Sequence, residues 1–144
     1  MSTQLTEQQK NNVRLWCETL ESGKYKQGKV YLRTKNDEYC CWGVACEIFQ
    51  DKIKSAWYLT SSNYSICGLK FSPPEEINDI LVSNEVPVNL LEDISKVFPI
   101  GHTFSLTSFN DRVNLTFKQI AAILRFAYLN EPLTDPEKVN DTSQ

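Results

Sequence analysis

Residues 29–49, KVYLRTKNDEYCCWGVACEIF, change their period partway along. Lys29-Val30-Tyr31-Leu32-Arg33-Thr34 alternates polar with apolar side chains and is rich in β-branched and aromatic types, which is the pattern of a strand. Lys35-Asn36-Asp37-Glu38 breaks the run, and Tyr39 to Cys41 reads as the returning strand. From Gly43 onward the apolar residues fall at 44, 45, 48 and 49, a helical spacing that begins where the strand stops. A hairpin feeding a helix predicts an α+β fold built on a small antiparallel sheet.

Working outward, amphipathic helices close both ends. Thr6 and Gln9 have capping-box spacing, Val13, Trp16, Cys17 and Leu20 mark one face, and Gly23 stops a helix over 6–22. At the other end Asn114 or Thr116 can cap a helix whose Phe117, Ile120, Ala121, Leu124, Ala127 and Tyr128 recur at helical spacing. Between them, strands are expected at 56–60 and 66–71 around the turn Ser61-Ser62-Asn63. Ser72-Pro73-Pro74-Glu75-Glu76 opens a helix that buries Ile77, Ile80 and Leu81. Leu90, Leu91, Ile94, Val97 and Phe98 form a further stripe between Pro87 and Pro99. The first and last helices should cover the sheet in one globular domain, 1–129, with 130–144 a mobile tail that carries no core.

Composition agrees with a folded domain. The chain has 144 residues, 41% of them hydrophobic and 23% charged, close to globular usage and unlike disordered or coiled-coil sequences. A net charge of -3 gives no overall attraction to nucleic acid, so only a local patch could supply it. No apolar run is long enough to span a membrane, and the first dozen residues lack the pattern of a secretory leader, so a cytoplasmic location is expected. Five cysteines, an odd number, are then expected as thiols.

Three separated groups of residues resemble one family: Trp16-x3-Leu20-x-Ser22-Gly23-x-Tyr25-x-Gln27-Gly28, then Tyr39-Cys40-Cys41-x-Gly43-Val44-x-Cys46, then Phe109-Asn110-Asp111. Over residues 10–127 they look like small uncharacterised proteins of bacteriophages and of bacteria carrying prophages. A looser similarity is to an actinobacterial family of unknown function with a Trp-Asn-Asp before its last helix, where this chain has Phe109. The resemblance brings no reaction. It implies a phage gene product, not essential to virion assembly, acting inside an infected cell.

The residues also admit chemical readings of their own. Cys40 and Cys41 lie where a strand feeds a helix, and a thiol at a helix N-terminus has a lowered pKa. Cys41, His102 and Asn110 follow in the order used by cysteine proteases, and so define a candidate catalytic set. Packed core cysteines are the stronger expectation, because no protease signature surrounds Cys41. Cys40, Cys41, Cys46 and His102 fit zinc spacing poorly, so no metal or cofactor is expected.

Residues 24–35 carry five basic side chains and no acid. Lys24, Tyr25, Lys26, Gln27, Lys29, Tyr31 and Arg33 form a candidate binding surface for nucleic acid, a nucleotide or an acidic protein. On a strand Lys29, Tyr31 and Arg33 would share one face, although a merely solvated hairpin is the simpler outcome. Asn110-Asp111 is expected in a turn bonding its local backbone, or else Asp111 reaches the Gln27-Gly28 loop or the Cys41 turn, making one pocket from three motifs. Gly43 would allow a close helix approach. Trp16, Trp42 and Trp57 are expected in or near the core. Residues 75–93 contain six acids, a solvated side of two helices that can also dock a basic partner. The expected function is an accessory protein that binds a host protein or sequesters a small ligand. A cysteine hydrolase or transferase, or a minor virion component, are the alternatives.

Overall fold

A computed structural model describes residues 4–61 and 63–138. Helix α1 spans Glu7–Glu21, and Thr6 and Gln9 close its first turn in the expected reciprocal capping box. Helix α7, Phe117–Leu129, begins with a second capping box, between Thr116 and Gln119. Their apolar stripes face each other, and this is the most extensive contact between any two elements. Val13, Trp16, Cys17 and Leu20 from α1 and Ile120, Ala121 and Leu124 from α7 are all buried in one core cluster. Arg125 fastens the far end by hydrogen bonds of 2.8 and 3.0 Å to the two oxygens of the Glu21 carboxylate.

The chain also forms two short ladders. Strand β1, Lys26–Gln27, runs parallel to β2, Glu38–Tyr39, and β3, Tyr58–Leu59, runs antiparallel to β4, Tyr64–Ser65. The fold is α+β and single-domain, but the hairpin expected from 29–34 and 39–41 does not form as one ladder. The chain bends after Gly28. Val30 adopts a left-handed φ of 73° and the Tyr31 amide bonds the Lys29 carbonyl, so only Arg33 and Thr34 make isolated bridges. The bend drives Leu32 into full burial, a demand that regular alternation could not meet. The second expected strand, 66–71, is displaced to β4, with a tight bridge from Ile66 to Leu69 after it.

Helix α2 occupies Cys41–Ile48 and α3 Gln50–Ile53. Helix α4, Glu75–Ile80, follows the paired prolines as expected, and a 3-10 turn at Val88–Leu90 leads into α5, Leu91–Ser95. Helix α6, Leu106–Asp111, capped by Ser105, was not anticipated, and it turns the expected Asn110-Asp111 turn into the end of a helix. The segment after α7 also departs from expectation. Residues 130–138 fold back, with Asp135 accepting from Gln119, Glu137 accepting from Thr116, and Leu133 packed against the core. Residues 139–144 of the expected mobile tail lie outside the described residues.

Candidate functional site

Asn110 is fully buried on α6 and joins the three motifs. Its Oδ1 accepts from the Cys41 amide at 3.3 Å and from Gln27 Nε2 at 2.8 Å, while its Nδ2 donates to the Gly28 carbonyl at 2.9 Å and to Asp111 Oδ1 at 2.8 Å. The Gln27 Nε2 group also donates to the Leu115 carbonyl, and Gln27 Oε1 accepts from the Phe117 amide at the start of α7. Asp111 Oδ1 accepts from the Val30 amide at 3.0 Å, and Lys29 bonds Asn114. Gln27-Gly28, the Cys41 turn and Asn110-Asp111 therefore do converge, but on each other. Among the described residues no buried side-chain nitrogen or oxygen is left without a partner, so the buried polar groups of the three motifs are satisfied by one another, in one knot of hydrogen bonds.

The thiols follow the same logic. Cys40 caps α2 and Cys41 opens it, at the expected strand-to-helix junction, but they are 4% and 0% exposed. Burial pushes the Cys40 thiol up to about 12, against the amides of Gly43 and Trp42 that favour its thiolate. Burial, with Cys40 and Asp111 beside it, raises Cys41 well above the ordinary thiol range. The expected lowering at a helix N-terminus is thus reversed, because desolvation of a thiolate outweighs a few amide dipoles. The Cys41 Sγ donates to the Leu106 carbonyl, and Asn110 is spent on backbone and Gln27. His102 sits on an exposed turn in a recess with Leu91, Glu92 and Ile100. Cys41 and Asn110 are brought together, and His102 is not bonded to either, so no base addresses the thiol. Among the described residues no cluster of His, Cys, Asp or Glu is placed to hold a metal ion.

The basic stretch is divided rather than displayed. Arg33 turns inward onto Tyr39, Trp57 and Tyr64, its guanidinium 3.8 Å from the Tyr64 ring centre, and grips Asp37 at 2.6 and 2.9 Å. Burial works against its charge, yet these partners hold it above the ordinary arginine range. Tyr25 packs edge-on against Tyr39, and Tyr31 packs on Phe71. Lys26 pairs with Glu38. The single-face arrangement of Lys29, Tyr31 and Arg33 is overturned by the bend at Val30, and Lys24 remains exposed over the Tyr25 ring.

What stays open lies next to it. Tyr58 and Leu59 of β3 are 71% and 56% exposed, and Phe71 and Val30 are about half exposed. The Thr60 amide bonds the Asn63 carbonyl, and the Tyr64 amide points away to the Arg33 carbonyl. In an antiparallel register of Leu59 opposite Tyr64, Leu59 therefore presents its own N–H and C=O to the free edge. Residues 24–71 carry eight Lys or Arg and four Asp or Glu, against seven and fourteen in the rest of the chain. The apolar edge is thus set in the basic part of an acidic molecule. The sequence predicts a strand at 56–60 but marks neither Tyr58 nor Leu59 as a surface residue, and both face solvent. No curated protein and no solved structure matches the chain. A family described as "Domain of unknown function (DUF8296)" matches residues 8–128, and the chain belongs to that family.

Proposed function

We propose that the chain is a non-catalytic binding protein of phage or prophage origin that docks an acidic protein of the host cell through the exposed edge at Tyr58 and Leu59. The observation that carries this reading is the pair itself. Two adjacent large apolar side chains exposed on an open strand edge are a poor surface to leave in water and a good anchor for a partner. Nucleic acid is the weaker partner for the same face. Its best phosphate fork, Arg33, is committed to Asp37 and three rings. The phage origin is supported by the resemblance carried by residues 10–127.

The test places a photoreactive phenylalanine analogue at Tyr58, at Phe71 and, as a control, at exposed Val88. A host protein identified from the first two positions and repurified should bind the wild-type chain with a salt-sensitive affinity. Leu59→Glu should weaken that affinity by about tenfold or more. Labelling of nucleic acid alone, or an affinity indifferent to Leu59→Glu, would overturn the reading.

A further inference from the structure

We infer that Tyr39, Trp57, Tyr64 and Asp37 form a binding site for an arginine side chain presented by another chain, and that Arg33 is the internal occupant which such a side chain displaces. Trp57 is set nearly perpendicular to both tyrosines, at 72° to Tyr39 and 76° to Tyr64, with ring centres 6.2 Å apart in each pair. The three rings wall one space, and the Arg33 guanidinium fills it at 5.4, 5.5 and 3.8 Å from the centres of Tyr39, Trp57 and Tyr64. Ring faces attract cations, and a flat guanidinium gains stacking as well. Asp37 Oδ1 accepts two N–H groups along one edge of that cation. Walls and carboxylate together select a flat cation with donors in its plane, which a methylated ammonium does not offer.

The walls stand without Arg33. Tyr39 is buried edge-on against Tyr25, the Trp57 indole N–H donates to Glu47 Oε1 at 2.7 Å, and Tyr64 belongs to β4. The backbone under Arg33 is also tied independently of its head group. The Arg33 carbonyl accepts from the Tyr64 amide, and the amides of Leu32 and Thr34 donate to the carbonyls of Lys70 and Glu38. The side chain can therefore swing out while the chain beneath it stays. Beyond the rings, its head group is held by Asp37, four residues along and 60% exposed, an ion pair of a kind that contributes little in water. An incoming arginine regains both the rings and the carboxylate, so its one handicap is the effective concentration of the tethered competitor. Leu59 lies opposite Tyr64 in the ladder, and its exposed side chain shares the face on which Tyr64 stands. A chain that covers Leu59 is thereby brought beside the cage, and that contact offsets the handicap.

The test titrates the full chain with N-acetylarginine amide. Trp16 and Trp42 are fully buried, so tryptophan fluorescence reports binding at Trp57. Arg33→Ala, checked for folding by circular dichroism, should bind the probe at least about tenfold more tightly than wild type, because the tethered competitor is gone. It should prefer this probe to N-acetyl-trimethyllysine amide, and adding Tyr64→Ala should weaken binding by about fivefold or more. In wild type the NMR signal of the Arg33 Nε–H, assigned by its loss in Arg33→Ala, should move toward that of solvated arginines as the probe is added. A folded Arg33→Ala that does not bind, or that prefers trimethyllysine, overturns the inference. So does an Arg33 signal that the probe leaves in place, which would make the cage a fixed structural contact. Should Arg33→Ala not fold, the wild-type titration decides by itself. Arg33→Ala keeps Tyr58 and Leu59, so capture of the host protein through the β3 edge is a separate measurement and survives failure of the cage.

Discussion

Asn110 does with one side chain what a catalytic asparagine would do with a histidine, but its partners are backbone. Its amide satisfies the Cys41 N–H and the Gly28 carbonyl, groups that stand at the start of α2 and just after β1. Buried polar groups left unpaired cost about 1–3 kcal/mol each. Asn110→Ala strands at least two of them, with Gln27 partly released as a third, and should destabilise the protein by roughly 3–5 kcal/mol. Urea unfolding followed by tryptophan fluorescence would measure it. A loss below about 1 kcal/mol would mean that water or Gln27 takes over the amide's work, and the knot would not be what locks α6 onto β1 and α2.

At the scale of elements, α1 and α7 were legible because each carries its own start signal and its own stripe; nothing distant is needed to form a capping box. Helix α6 was not legible. Its Leu106 and Phe109 lie only three residues apart in a six-residue element, too short to set a period, and the reason for burying Asn110 is found at Gly28 and Cys41, far away in sequence. The expected hairpin failed for the same cause, since the bend at Val30 answers to Asp111 and not to its neighbours. The candidate catalytic order of Cys41, His102 and Asn110 read two members of the knot and one surface residue as a set, which sequence order alone could not distinguish. Gly43 was legible as a close approach, and the distance makes the point. A Cβ there would lie 1.7 Å from the Leu32 carbonyl oxygen, and the obstruction is backbone that cannot rotate away. Gly43→Ala should therefore cost about 4 kcal/mol or more and disturb the seating of α2. Gly23→Ala, with open space but a φ of 79°, should cost only about 1 kcal/mol. Equal losses in denaturant titrations of the two variants would show that the Leu32 contact relaxes and does not position α2.

Over the whole molecule, the groups whose ionisation is disturbed are disturbed mostly by one cause. Burial raises the thiols of Cys17, Cys40, Cys41 and Cys46 and raises the Tyr39 and Tyr128 hydroxyls to about 12. Each of these groups is neutral when protonated, so the folded state holds protons that the unfolded chain releases above a thiol pKa of about 8.5 or a tyrosine pKa of about 10. Above those values the native state binds more protons than the unfolded state, and stability must fall as pH rises. The contribution is fully present below about pH 8.5 and is lost toward pH 12, with each fully buried thiol steepening the decline by up to about 1.4 kcal/mol per pH unit. Denaturant midpoints measured from about pH 7 to 10.5 should drop in that order, thiols first. Over the same range alkylation mapped by mass spectrometry should modify exposed Cys67 and reach the other four only as the fold opens. A flat midpoint across that range, or rapid alkylation of Cys40 or Cys41 at neutral pH in the folded protein, would place a thiolate in contact with solvent. It would return chemistry to a junction that the packing assigns to the core.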